Sequence, residues 1–191
     1  MMTLKLYWKI AALGLLSGLA VFTITEKART GPSPVLNPPL IPEVQYSEPV
    51  RVVIPAIKVD APVQPVGIAP DGTMGVTHDQ WSVAWFEYGA VPGASGSAVL
   101  AGHLDTKLTP TAVFYDLKKL KPGDEILVQE KNGTEVRFKV RELKTYPYDS
   151  QPEEVFAGGG SSRLSLITCA GVWLKDKHSY SERLVVFADK T

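Results

Sequence analysis

Only one cysteine and three histidines stand in this 191-residue chain. That excludes an internal disulfide and leaves too few ligands for a structural zinc site. Any metal would have to bind through oxygen, and no Asp/Glu cluster has the spacing of a calcium loop, so neither a metal nor a cofactor is expected. Excess charge is also missing: Lys+Arg and Asp+Glu each number 20, for a formal net charge of +0, and nothing points to a nucleic-acid partner. There is no internal repeat, and no amphipathic helical pattern longer than a turn or two, around Thr111 to Leu120 and Pro152 to Phe156. What the chain does have is 45% hydrophobic and 21% charged residues, enough to bury a core, in a length that suits one domain plus tails. Its 15 prolines and 16 glycines fall between short apolar runs, which is the punctuation of an all-β domain.

The first 29 residues stand apart. Lys5 and Lys9 lie in an acid-free start, and Ile10 to Thr25 then runs without a charge before Glu26, Lys27 and Arg29. This is a membrane-targeting pattern, longer than the core of a cleaved signal peptide and just short of an ideal span. If Lys9 snorkels, Leu4, Leu6, Tyr7 and Trp8 extend the apolar stretch, with the two aromatics at headgroup level. The small residues Gly18 and Ala20 form only a weak cleavage pattern, so an uncleaved signal anchor is favoured over a removed leader. The flanking lysines place the N-terminus in the cytoplasm and the rest of the chain outside. Residues 30–49, TGPSPVLNPPLIPEVQYSEP, carry too much proline for a helix or a central strand and read as an extended, polyproline-like spacer.

Residues 50–191 are the expected folded domain. Val50 to Ile54, Ala61 to Val66, Ser97 to Ala101, Glu125 to Gln129, Thr134 to Leu143, Leu164 to Ile167 and Leu184 to Phe187 have strand composition. Asp71-Gly72 marks a turn, and Asn132-Gly133 predicts a hairpin with a two-residue type I′ turn. Seven or eight short strands fit a closed or nearly closed β-barrel.

Three side chains carry chemical potential. Cys169 ends the run RLSLITC, ahead of a small Ala170-Gly171 turn. A lone cysteine is either inert in the core or a reactive thiol, and a strand end favours the latter by exposing it at a barrel rim. A thiolate needs a base or cation nearby. His103 follows the apolar run SAVLAG, also at a strand end, with a side chain able to take and return a proton; His78 and His178 sit in polar loops and read as solvated. Arg183 opens RLVVFA, a natural neighbour of the cysteine strand, and its guanidinium can donate to a developing oxyanion or a peptide carbonyl. An ordinary surface ion pair with Glu182 is the alternative for that arginine.

AGHLD around His103, LITC ending at Cys169 and ERLVVFA around Arg183, in that order behind an N-terminal anchor, resemble a sortase. The resemblance spans Val50 to Thr191. IPAIKVDAPVQPVG, PGASGSAVLAGHLD, TAVFYDLKKLKPGD and YPYDS are similar to the class F group of Gram-positive bacteria. The TLxTC motif of the family reads SLITC here, with Ser165 in place of the leading threonine. The resemblance implies an eight-stranded barrel in which Cys169 is the nucleophile, His103 the acid/base and Arg183 the electrostatic clamp, with Thr168 and Ala170 as substrate contacts. It implies a cysteine transpeptidase whose partners are LPxTG-type surface proteins, cleaved between Thr and Gly, and an amine from a cell-wall precursor or a pilin lysine. A slow sorting-signal peptidase and a membrane-tethered peptide-binding module are the alternatives. An L,D-transpeptidase would need a local SHGC-like motif, which is absent.

Overall fold

The computed structural model describes residues 45–191; the anchor segment and most of the proline-rich stretch lie outside it. Among the described residues no helix is long and apolar enough to cross a membrane. Eight strands follow in chain order: β1 (Pro49–Ile54), β2 (Val59–Val66), β3 (Val83–Phe86), β4 (Gly96–Ala101), β5 (Glu125–Glu130), β6 (Glu135–Pro147), β7 (Ser162–Leu174) and β8 (Ser179–Lys190). They close into a barrel in the order β1-β2-β3-β4-β7-β8-β6-β5, so the all-β barrel expected from composition is the observed fold. Two neighbouring pairs, β2 with β3 and β4 with β7, run parallel. Closure leaves no free sheet edge, which removes the main aggregation hazard of an all-β chain.

Alternation builds the wall. In β6, Val136, Phe138 and Val140 point into the barrel while Glu135, Arg137 and Lys139 face water; β5 contributes Ile126 and Val128 from the same face logic. With Val52, Ile54, Leu100, Phe114, Leu164, Leu166 and Val186 they form the main core. A second, smaller cluster of Val99, Val155, Val185 and Phe187 covers part of the barrel's outer face. It is closed over by the single-turn helix α1 (Glu153–Phe156), which inserts Val155 at 1% exposure.

The structure departs from the sequence reading in four places. Strand β3, VAWF, is buried at three successive positions and therefore lacks the alternation that reveals a strand. Strands β6, β7 and β8 run 13, 13 and 12 residues, well beyond the expected short runs. The β5–β6 hairpin does not use a two-residue type I′ turn, because Gly133 alone has positive φ (87°). Glu130 N–H donates to Thr134 O and Gly133 N–H to Glu130 O, which makes a three-residue loop with glycine in the left-handed position. Finally, β7 does not end at Ala170-Gly171. Gly171 has φ 80°, the β7–β8 register shifts between Ala170 and Trp173, and a β-carbon at 171 would collide with Ser181 Oγ. The cysteine strand bulges there and continues.

The end of the proline-rich stretch is tied to the barrel. Asn132 Nδ2 donates to Gln45 O at 2.9 Å, Asn132 N–H to Ser47 Oγ at 3.1 Å, and Ser47 N–H to Glu130 Oε2 at 3.1 Å. Lys190 reaches both the hydroxyl and the ring face of Tyr46. Glu130 is only 2% exposed and its Oε1 has no partner among the described residues. Burial pushes this carboxyl above its usual range, against the opposing pull of Ser47 N–H, Asn132 and the Lys190 charge. A carboxyl raised in the folded state contributes stability while protonated, below its unfolded pKa, and loses it as pH rises through the folded value. At neutral pH the charge is therefore a cost. Glu130→Gln keeps an acceptor for Ser47 N–H and removes the charge. Its melting temperature is expected to exceed wild type at pH 7 by about 2–4 °C, for a gain on the order of 1 kcal/mol, and to match it at pH 4. Thermal melts at the two pH values check this; a lower value at pH 7 with no change at pH 4 would make the Lys190 attraction dominant.

Candidate active site

Strand pairing brings the three candidate side chains together. In the parallel β4–β7 pair, Ala101 is level with Ile167, and past the end of β4 Gly102 stays bonded to Ile167 and Thr168, which keeps His103 beside the Cys169 segment. In the antiparallel β7–β8 pair, Cys169 is directly opposite Arg183, and directly opposed residues share one face of a sheet. That is the outer face: inward Leu164 and Leu166 alternate with outward Ser165, Ile167 and Cys169 along β7. Val76, Thr77, Ala101, Gly102, His103, Ile167, Thr168, Cys169 and Arg183 line an open groove of about 90 Å³.

Each side chain is held from behind. Gly102 N–H donates to Ile167 O at 3.0 Å, His103 O accepts from Phe114 N–H at 2.9 Å, and Leu104 O accepts from Ala112 N–H at 3.0 Å. Glycine is required at 102, since a β-carbon there would run into the Phe114 ring. His103 Nε2 lies 2.9 Å from Thr77 O. The Arg183 guanidinium donates through Nη1 to Glu182 O (2.9 Å) and Tyr180 O (3.2 Å), and through Nη2 to Ser179 Oγ (3.0 Å). Three of its five N–H groups are engaged, and two are left for a ligand.

The two residues expected to contact substrate are placed differently from each other. Thr168 lines the groove but is 3% exposed, and its hydroxyl donates to Gly102 O at 2.8 Å, bracing β7 against the His103 segment. Ala170 packs toward the main core and is not among the groove residues. Ser165, at the position where the family carries threonine, is fully buried and hydrogen-bonds Ser97 Oγ at 2.9 Å, joining β4 to β7. His78 and His178 are exposed, and His178 adopts a left-handed φ of 50° in the β7–β8 loop.

Burial raises the Cys169 thiol above its ordinary value; the Arg183 charge pulls it down and the Asp105 charge pushes it further up. The resting group is a thiol, and a thiolate forms only when a base takes its proton. Asp105 also accepts from the Tyr180 hydroxyl, a bond that, with burial, pushes that phenol up to about 12. Asp105→Asn keeps an acceptor for Tyr180 but removes the negative charge, so the Cys169 thiol pKa should fall. Alkylation by iodoacetamide at pH 8 is expected to be a few-fold faster than in wild type, with its pH profile moved to lower pH. Alkylation rates from pH 6 to 10 provide the check, and an unchanged profile would remove Asp105 from the electrostatics of the thiol.

A thiol, an imidazole and a guanidinium thus line one groove on the outside of a closed barrel. The chain belongs to the sortase family: the family model for the sortase domain matches residues 52–191. The fold is similar to that of sortase C1 of GBS pilus island 1 (24% identity, TM-score 0.58, covering 74% of this chain and 63% of that one). It is likewise similar to sortase C-1 from Actinomyces oris (24%, 0.58, 75% of each chain) and to sortase A from Corynebacterium diphtheriae (20%, 0.60, 78% of this chain and 63% of that one). The chain thus spans less than two thirds of the length of the first and third of these. No curated protein matches it by sequence.

Proposed function

We propose that this protein is a cysteine transpeptidase of class F type that cleaves an LPxTG-like sorting signal between Thr and Gly and passes the acyl group to an amine. The observation that carries the reading is the single groove lined by His103, Cys169 and Arg183, with Cys169 directly opposite Arg183 in the β7–β8 register. In the first half-reaction His103 accepts the thiol proton as Sγ attacks the threonine carbonyl, and the oxyanion is met by the free N–H groups of Arg183. The C–N bond breaks, His103 returns the proton to the departing amine, and a thioester remains on Cys169. In the second, His103 takes a proton from the incoming amine, a new amide bond forms and the thiol is regenerated. A cell-wall precursor or a pilin lysine fits the acceptor role. The open groove on the outer face suits an extended peptide. Incubating the full chain with LPxTG peptides and candidate amines, read by mass spectrometry, should give a thioester adduct and then an amide product. Hydrolysed peptide alone would make the enzyme a peptidase, and a bound but intact peptide would make it a binding module.

We also propose that residues 1–29 anchor the chain with the barrel outside the cell, on the strength of the uncharged run and its flanking lysines. Protease added to intact cells is expected to digest the barrel domain; a fully protected domain overturns this topology.

A further inference from the structure

We propose that the loop from Thr77 to Ser82 is a positioning device that fixes the His103 tautomer, so that the catalytic proton moves through Nδ1 and never through Nε2. The proposal rests on the transpeptidase reading, but its first premise is visible in the site itself. A backbone carbonyl can only accept a hydrogen bond, and the atom 2.9 Å from His103 Nε2 is Thr77 O. Nε2 therefore carries a hydrogen whether the ring is neutral or charged, and in the neutral ring Nδ1 is the lone pair. Nδ1 makes no hydrogen bond among the described residues, which leaves it as the nitrogen available to the groove that His103 and Cys169 both line.

The carbonyl is fixed by a loop bonded back on itself. Thr77 is 5% exposed, and its hydroxyl lies 2.9 Å from Asp79 O and 3.2 Å from Ser82 O as alternative acceptors. The Asp79 carboxylate accepts from Ser82 Oγ at 2.6 Å and from Trp81 N–H at 3.2 Å. Gln64 of β2 donates to Ser82 Oγ at 3.2 Å, and Gln80 O accepts from Val113 N–H at 3.0 Å. The loop is thus pinned both to the barrel wall and to the stretch after His103. Two nearly buried hydroxyl residues, Thr77 and Ser82, are spent on loop geometry alone, and what that geometry holds in place is one carbonyl facing the imidazole. The consequence for catalysis is that the ring enters every cycle with its basic nitrogen already aimed, with no population lost to the other tautomer.

The test is a nitrogen-15 spectrum of the full chain labelled at histidine, recorded where the rings are neutral. With only three histidines, signals are assigned from His78→Gln and His178→Gln variants. The expected result is His103 with a protonated Nε2 and a bare Nδ1. A protonated Nδ1, or an even mixture of tautomers, overturns the proposal. Thr77→Val keeps the volume but removes the hydroxyl; it should mix the tautomers and lower kcat about tenfold with KM within twofold, whereas Thr77→Ser should restore both. Should Thr77→Val fail to fold, the wild-type spectrum and Thr77→Ser still decide. The two readings fail separately: a chain with the expected tautomer and no thioester refutes only the transpeptidase, and a chain that turns over with Nδ1 protonated refutes only the loop's role.

Discussion

Cys169→Ala should abolish thioester formation entirely while leaving the melting temperature within about 2 °C of wild type. No other thiol exists in the chain, so no substitute nucleophile can form the acyl-enzyme. The structural side of the expectation follows from position. Cys169 is half-buried on the outer face of β7, and the backbone ladder that pairs it with Arg183 is indifferent to the side chain. Truncation to alanine removes one sulfur atom from a groove wall and opens no cavity in the barrel core, where larger losses originate. Mass spectrometry after peptide incubation reads the first half of the prediction and thermal melting the second. A destabilisation of 2 kcal/mol or more, with residual turnover, would return the residue to an inert packing role.

Arg183 carries the second large effect. Removing one preorganised oxyanion donor typically lowers kcat by about 10²–10³, or roughly 2.7–4 kcal/mol of transition-state stabilisation, and this is the loss expected for Arg183→Ala. Arg183→Lys should recover only part of it. The guanidinium is held by Tyr180 O, Glu182 O and Ser179 Oγ at once, an arrangement that needs the planar fork; an ammonium, with only three donors, cannot satisfy those three acceptors and still offer one to a ligand. The same charge also lowers the Cys169 thiol pKa, so alkylation of Arg183→Ala should shift to higher pH, opposite to Asp105→Asn. Kinetics of both variants, with peptide affinity measured on a Cys169→Ala background, separate the roles: kcat/KM should fall far more than affinity. Full activity in Arg183→Lys would reduce the residue to a simple charge.

Three residues able to do chemistry could be singled out in the sequence, while the strand pairing that brings them to one groove could not. His103, Cys169 and Arg183 could be singled out by residue type, strand ends and a family resemblance. That Ala101 stands beside Ile167 is a pairing across 66 residues, and no local pattern encodes which strands run parallel. Strands with one wet face, β5 and β6, announced themselves by alternation; β3, buried on both faces, did not. Gly171 looked like a stop because an Ala-Gly pair usually ends a strand, whereas here it absorbs an extra residue within a continuing one. Thr77 was missed for a different reason: it acts through a backbone carbonyl, and carbonyls leave no trace in residue identity. The one available hint was the Asp79–Ser82 spacing of a self-bonded turn.

The crossover from β4 to β7 also sets the timing of folding. Gly102 and Thr168 must meet from 66 positions apart, and barrels dominated by such distant pairings mature on timescales of about milliseconds to seconds. Until β7 docks between β4 and β8, Cys169 has neither the imidazole of His103 nor the charge of Arg183 beside it. On the proposed mechanism a nascent or half-unfolded chain is therefore chemically silent, and reactivity is expected only in molecules whose barrel has closed.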